Sequence, residues 1–220
     1  MLERLQIQSE FVDGLRVTDA PTVEVVEMVL AGSINKQIVS EINAAGGVAV
    51  GLSGKDGNLI TAEKLERGGG DGKATPDLGF VGHPKTVNPQ ILELFAESNV
   101  IPVVAPIAID EAGQTYNINA DTVAGAVASA LHARRFYLLT DVAGVLDSDG
   151  ALIDDMPAAR ARALVAEGVV TGGMIPKVET CLAAIDGAVE AAVIIDGRVP
   201  HALLLEVFTE RGVGTLIYGA

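Results

Sequence analysis

The chain has 220 residues, of which 49% are hydrophobic and 20% charged; this suits one large globular domain or two small lobes. A net charge of -14 argues against nucleic acid or an anionic membrane as a partner. The single cysteine, Cys181, excludes an internal disulfide. No apolar run reaches the ~20 residues of a membrane span, and the opening MLERLQIQSE lacks the apolar core of a signal peptide, so the cytoplasm is the expected compartment.

Aromatic residues make up only 4%, while Ala, Val, Ile, Leu and Gly dominate, as in buried parallel strands covered by helices. Apolar residues recur at helical spacing over 21–45 (Val23, Val26, Val29, Leu30, Ile34, Ile38, Ile42), and Pro21 suits a first helical turn. VAVGLSG (48–54) reads as a buried strand that ends in glycine. GNLITAEKL (57–65) and DLGFVGHPKTVN (77–88) read as strands flanking the loop RGGGDGKATP (67–76). A helix follows over 89–98, a strand over 100–109, and an Ala-rich helix from Thr122 to Ala133. RFYLLTDV (135–142) is another buried strand, 157–167 a helix, and a further helix runs to about Val189. AAVIIDG (191–197) is a strand, HALLLEVFT (201–209) a helix and GTLIY (214–218) a last strand. This alternation predicts an α/β fold with a mostly parallel sheet and helices on both faces. The polar stretch 55–90 breaks it, as a hairpin excursion at a sheet edge or over a site. Ligands in such folds sit beyond the C-terminal strand ends, where Gly51, Gly54, Asp141 and Gly144 cluster.

Several chemistries have no motif here. There is no GxxxxGK[ST], no GxGxxG opening a helix, no GxSxG elbow and no cluster with metal-ligand spacing. GVGT (212–215) precedes a strand rather than a helix. His83, His132 and His201 are isolated, as structural or surface histidines are. Cys181, within an apolar helical segment, reads as a buried inert thiol.

Four groups remain. In GLRVTDAPT (14–22), Arg16 precedes a helix start capped by Thr18 or Asp19; it can grip a carboxylate with two parallel bonds or form a surface ion pair. In NINAD (117–121), Asn119 or Asp121 can cap the next helix, or the asparagines can bind polar substrate atoms. LLTDVAGVLDSDG (138–150) is a strand running into a loop that either cups a nucleotide or makes an ordinary turn. TGGMIPKVET (171–180) puts two glycines and Lys177 at a helix start. A cation there opposes the helix dipole unless an anion is bound.

Taken together, FVDGLRVTD, GLSGKDGNLI, DLGFVG, NINAD, LLTDVAGVLD, GMIPKV and EVFTERGVGTLI resemble, in order, the amino acid kinase family. The match runs over essentially the whole chain. FVDGLRVTD with NINAD and GMIPKV resembles the branch acting on N-acetyl-L-glutamate in arginine biosynthesis. The resemblance implies a three-layer αβα sandwich with a mostly parallel central sheet. It implies transfer of the ATP γ-phosphate to the side-chain carboxylate of N-acetyl-L-glutamate, with Mg2+ arriving on the ATP. Residues 1–110 would form the acetylglutamate lobe and 111–220 the nucleotide lobe. Arg16 and Asn117 would hold the substrate, with Asn119 close by. Asp121 would orient lysine ammonium groups, and Lys177 would stabilise the transferring phosphoryl group. Asp141, Val142, Gly172, Gly173 and Met174 would line the nucleotide pocket. Glu206 and Gly212 match residues that hold L-arginine as a feedback inhibitor. A homo-oligomer is implied, dimeric through the helix at 22–45; the N-terminal helix of arginine-responsive hexamers has no match.

The resemblance has a gap. The family's first-strand lysine with paired glycines, and its HGGGP-type loop, have no counterpart in these residues. RGGGD (67–71) follows no buried strand and is not a substitute. The gap implies an incomplete kinase lacking N-terminal strands whose neighbours keep unpaired backbone groups and an uncovered apolar face. Two other readings stand beside it: a different family member, such as a carbamate, aspartate or glutamate 5-kinase, and a non-catalytic ligand-binding or regulatory subunit.

Overall fold

The structure, a computed structural model, describes residues 1–7, 11–12, 15–66, 77–209 and 212–219. The RGGGDGKATP loop lies outside the described residues. The chain divides into two compact units, Met1–Val123 and Ala124–Ala220.

In the first unit, two short strands, β1 (Phe11–Val12) and β2 (Leu15–Arg16), pair antiparallel. Asp19 then starts a helix, its Oδ1 accepting from the Thr22 N–H at 2.9 Å, and Pro21 stands in the first turn, where its missing N–H costs nothing. The helix is continuous in course but not in type. It runs through α1 (Ala20–Glu27), a π-helical segment (Met28–Ile34) and α2 (Asn35–Ala44). One extra residue in a helical turn rotates everything downstream by about 100°. This corrects the uniform periodicity expected over 21–45. Ile34 and Ile38 face solvent, at 43% and 41% exposure, while Asn35 is buried at 2%. Its Nδ2 donates to the carbonyls of Leu52 (3.2 Å) and Val103 (2.8 Å).

Those carbonyls belong to β3 (Val48–Ser53) and β6 (Val100–Ala105), a parallel two-stranded sheet. β3 is less buried than expected, with Val48 57% exposed. Among the described residues it pairs with β6 alone. Alternate residues of a strand turn their backbone groups to opposite sides. Pro102 of β6, which has no N–H, lies opposite Val50. On the outward side of β3, side chains meet the backbone. Asn43 Oδ1 accepts from Ala49 N–H (2.7 Å), Lys36 Nζ donates to Gly51 O (3.0 Å), and Asp56 Oδ2 accepts from Ser53 N–H (2.7 Å).

The polar stretch forms a hairpin, as expected, of β4 (Ile60–Lys64) and β5 (Val81–Val87). It closes into a four-stranded barrel with β7 (Ile107–Ile109) and β8 (Thr115–Ile118), in the order β4-β5-β8-β7. The helix α3 (Gln90–Ala96) precedes β6. The strand expected over 100–109 is thus two strands, parted at Pro106. The strand β8, which holds Asn117, gave no expected element. The last helix of this stretch, α4 (Ala120–Ala130), carries the unit boundary.

The second unit is a four-stranded sheet of β9 (Arg135–Thr140), β10 (Asp155–Pro157), β11 (Ala191–Asp196) and β12 (Thr215–Tyr218), ordered β10-β12-β11-β9. The pairs β10–β12 and β11–β9 are parallel; β11–β12 is antiparallel. The short strand β10 was not expected. On one face, α5 (Ala158–Ala166) and α6 (Met174–Asp186) pack through Ala161, Leu164, Val178 and Leu182 onto Leu138, Ile194 and Ile217. Cys181 is fully buried in this core, as expected. On the other face, α7 (Ala202–Phe208) packs through Ala202 against Val193 and Ile195. With helices on both faces, β11 loses all exposure from Ala191 to Ile195, which is why AAVIID reads as an unbroken apolar run.

Candidate active site

Arg16 and Asn117 stand a hundred residues apart and are brought together by a backbone ladder. Thr18 N–H donates to Leu78 O (2.9 Å), Phe80 N–H to Thr18 O (2.7 Å), and Asn117 N–H to Phe80 O (2.9 Å). The middle rung needs glycine. Gly79 sits at φ +69°, and a Cβ there would overlap the Thr18 carbonyl oxygen. Thr18 is itself fully buried, its Oγ1 donating to Arg16 O at 2.8 Å. This explains DLGF, which carried no stated role in the sequence. Arg16 and Asn117 thereby line one cavity of about 580 Å³. Its other wall is aliphatic: Val25 and Val26 of α1, and Val29 and Leu30 of the π segment, with residues 1–3 completing the lining. The helical periodicity predicted apolar side chains here, but not a wall facing an arginine.

Asn119 has a different place. Its Oδ1 accepts from Thr122 N–H (3.1 Å) and Thr122 Oγ1 (3.3 Å), so it caps α4. Asp121 stands in the first turn of that helix, where the dipole favours a carboxylate.

In the second unit, the C-terminal ends of the parallel strands β9 and β11 lie side by side, Thr140 opposite Asp196. Asp141 follows β9, exposed, and accepts from Thr140 Oγ1 at 3.2 Å; Val142 is exposed beside it. The loop returns to the core at Gly144 and Val145, where the buried Val145 N–H donates to Thr215 Oγ1 at 2.8 Å. Across the strand ends, Arg198 grips Asp196 with two bonds of 2.9 and 2.8 Å. These bonds, and the Arg198 N–H, pull the Asp196 carboxyl down to about 2. Neither Asp196 nor Arg198 was singled out in the sequence.

The TGGMIPK turn is as open as its glycines suggest. Gly172 adopts φ +57° and Gly173 is the N-cap of α6. Both are exposed, and a Cβ on either would meet no atom within 4 Å. The N-cap Gly173 has no side chain to cap this helix; the N–H groups of Met174 and Ile175 donate instead to the carbonyls of Thr171 and Gly172, each at 3.2 Å, and Pro176 has no N–H. Met174 opens the helix, and Lys177, half-buried, is its fourth residue.

Glu206 and Gly212 line another cavity, of about 650 Å³, with Arg135, Tyr137, Asp154, Asp155 and Thr209. Glu206 Oε2 accepts from the N–H groups of Val213 (2.8 Å) and Gly214 (3.3 Å). A Cβ at Gly212, φ +63°, would collide with that carboxylate. The sequence reading missed Asp154 and Asp155; their only signal was an acid pair before a two-residue apolar step.

No group of three or more His, Cys, Asp or Glu that could hold a metal ion occurs among the described residues. Nor is any described helix long and apolar enough to cross a membrane.

The family model described as amino acid kinase family matches residues 1–196. The acetylglutamate kinase of Rhodospirillum rubrum is 62% identical over 221 residues, spanning 99% of this chain and 71% of that protein. Among solved structures, smu.665 of Streptococcus mutans matches at 29% identity and TM-score 0.78, covering 99% of this chain and 80% of that one. The N-acetylglutamate synthase of Neisseria gonorrhoeae, solved with coenzyme A and N-acetyl-glutamate, matches at 25% identity and TM-score 0.83, covering 99% of this chain and 49% of that one. The chain belongs to the amino acid kinase family and, within it, to the acetylglutamate kinases.

Proposed function

We propose that this chain phosphorylates N-acetyl-L-glutamate at its side-chain carboxylate, with ATP as donor, in arginine biosynthesis. A carboxylate oxygen attacks the γ-phosphorus, the bond from that phosphorus to the bridging oxygen breaks, and ADP leaves with the electron pair. Both reactants are anions and the nucleophile is already ionised. The protein therefore needs no base; it needs position and positive charge. The observation that carries the reading is the shared cavity of Arg16 and Asn117: a guanidinium for a carboxylate, an amide for an amide, and an aliphatic wall.

In this reading residues 1–110 form the acetylglutamate lobe and 111–220 the nucleotide lobe. Asp121 orients lysine ammonium groups. Asp141, Val142 and the Gly172–Met174 backbone line the nucleotide site, and Lys177 stabilises the transferring phosphoryl group. The open glycines at the start of α6 leave room for phosphate oxygens to approach the backbone there. Asn119 stays near the substrate as the cap that fixes α4. Mg2+ comes with the ATP phosphates.

L-Arginine binds as a feedback inhibitor in the cavity of Glu206 and Gly212. The carboxylates of Asp154 and Asp155 on the same cavity suit a guanidinium. The chain works in the cytoplasm as a homodimer joined through the helix at 22–45.

The test is a phosphotransfer assay with ATP, Mg2+ and N-acetyl-L-glutamate, trapping the acyl phosphate with hydroxylamine. Turnover is expected, and Lys177→Ala should abolish it without unfolding the chain. A transition-state contact of this kind contributes ~3–4 kcal/mol, so a Lys177→Ala variant with near-normal rate would refute the assignment.

A further inference from the structure

The cavity of Glu206 and the loop at 141–145 are held by one short backbone segment, residues 213–215. Glu206 Oε2 accepts from the N–H groups of Val213 (2.8 Å) and Gly214 (3.3 Å). The next residue, Thr215, is fully buried, and its Oγ1 accepts from the buried Val145 N–H at 2.8 Å. Packing leaves little slack between the two holds. Gly214 is buried, and a Cβ there would strike the Ile194 carbonyl oxygen; a Cβ on Gly144 would strike Thr215 Oγ1. A second route runs beside the first. Leu216 N–H donates to Asp154 O, and Ile153 N–H donates to Val145 O, each at 2.9 Å. Asp154 and Leu216 line the same cavity as Glu206, so both routes from the cavity wall end at Val145.

The carboxylate of Glu206 has two claims on it. One oxygen holds both backbone N–H groups, while a guanidinium in the cavity would grip both oxygens with parallel bonds. The two demands compete for Oε2, and the longer bond, from Gly214, gives way first. Gly214 is buried, so an N–H that loses its acceptor there must find another by moving the chain. A close-packed interior passes such a shift on rather than absorbing it. The next contact along the chain is Thr215 Oγ1 with Val145 N–H, which pins the end of the loop that carries Asp141 and Val142.

We propose that Glu206 is a positioning residue for the nucleotide loop, acting through Thr215, and that a guanidinium compound taken up in its cavity weakens nucleotide binding. The inference rests on two readings given above, the loop at 141–145 as part of the nucleotide site and the Glu206 cavity as the L-arginine site. Coupling between binding sites is reciprocal. Arginine must therefore raise the nucleotide Kd by the same factor by which nucleotide raises the arginine Kd, and such factors run from about 5 to 150.

The experiment is calorimetric titration of the full chain with ADP, with and without saturating L-arginine, and the converse titration of L-arginine with and without ADP. The ADP Kd should rise about fivefold or more in arginine, with the same factor in the converse titration. In Glu206→Ala the ADP Kd should be raised already, without arginine. In Thr215→Val arginine should still bind, but the ADP Kd should no longer respond to it. In Thr215→Ser, which keeps the hydroxyl and adds no bulk, the response should be retained. A merely structural Thr215 would lower stability without erasing that response. If ADP and arginine both bind and neither changes the other's Kd, or if Thr215→Val responds in full, the inference falls while both site readings stand. If arginine does not bind, the effector reading falls and the inference with it; if ADP does not bind, the nucleotide reading falls and takes the inference with it.

Discussion

Gly79→Ala should damage the proposed substrate cavity from a distance, and the structure says by how much. Gly79 holds φ +69°, and an added methyl would overlap the Thr18 carbonyl oxygen and lie 2.9 Å from its carbon. The left-handed conformation alone costs alanine about 1–2 kcal/mol. The overlap is with backbone of a fully buried residue, so relief means loosening the Thr18–Leu78 or Phe80–Thr18 hydrogen bond, about 0.5–1.5 kcal/mol each. The sum is about 1.5–3.5 kcal/mol, against a total stability of about 5–15 kcal/mol. Urea unfolding, compared at unchanged m-value, measures it. The same shift moves the strand that carries Arg16, so affinity for N-acetyl-L-glutamate should fall even where the variant is fully folded. Gly79→Asn separates the causes. Asparagine tolerates positive φ better than alanine but carries the same Cβ, so a collision predicts equal damage and backbone strain alone predicts less. A Gly79→Ala protein within about 0.5 kcal/mol of the parent, with unchanged substrate affinity, would refute the ladder as the device that positions Arg16.

Thr215→Val should cost about 1–3 kcal/mol, since it strands the buried Val145 N–H, and should weaken nucleotide binding through the loop at 141–145; Thr215→Ser should restore both, as denaturation and nucleotide titration will show. Carbon-detected NMR should place the Asp196 midpoint at about 2, and Arg198→Ala should raise it toward ~3.9. Because that carboxyl is depressed in the folded state, its contribution to stability is fully present above the unfolded value of about 3.9 and disappears as pH falls through about 2. Removing two of the three outward caps of β3, in Lys36→Ala with Asn43→Ala, should expose most of that strand edge; light scattering should then show mass rising with concentration, and an unchanged mass would show that these two caps are incidental.

The sequence revealed elements wherever a single physical cause governed a long stretch. β11 is buried on both faces, so its apolar run is unmistakable, and α6 keeps one register from Met174 to Asp186. The failures have equally physical reasons. The π segment adds a residue without a sequence mark, so the phase of Ile34 and Ile38 could not be read. β8 and β10 are too short, at four and three residues, for a period of two to register. The Arg16–Asn117 pairing came from resemblance alone, since the rung between them is a glycine whose partner, Thr18, is distant in sequence. Asn119 was legible as a cap because capping is local, and the structure gives it that place.

Glycines mark the remaining chemistry by what surrounds them. Most described glycines have an internal reason: a positive φ, as at Gly79, Gly144 and Gly212, or a neighbour that a Cβ would strike, as at Gly54, Gly82 and Gly214. Among the described residues only Gly32 and Gly173 have neither a positive φ nor any atom within 4 Å of a Cβ. Glycine in such a place costs backbone entropy and gains nothing from the chain itself. Gly173 lies at the start of α6, where ATP phosphates are proposed to approach the backbone. Gly32 lies in the π segment of the helix proposed to meet a second copy. Both unexplained glycines thus fall where something outside the chain is proposed to come close, and closeness to a ligand or a partner backbone is the other reason for lacking a side chain.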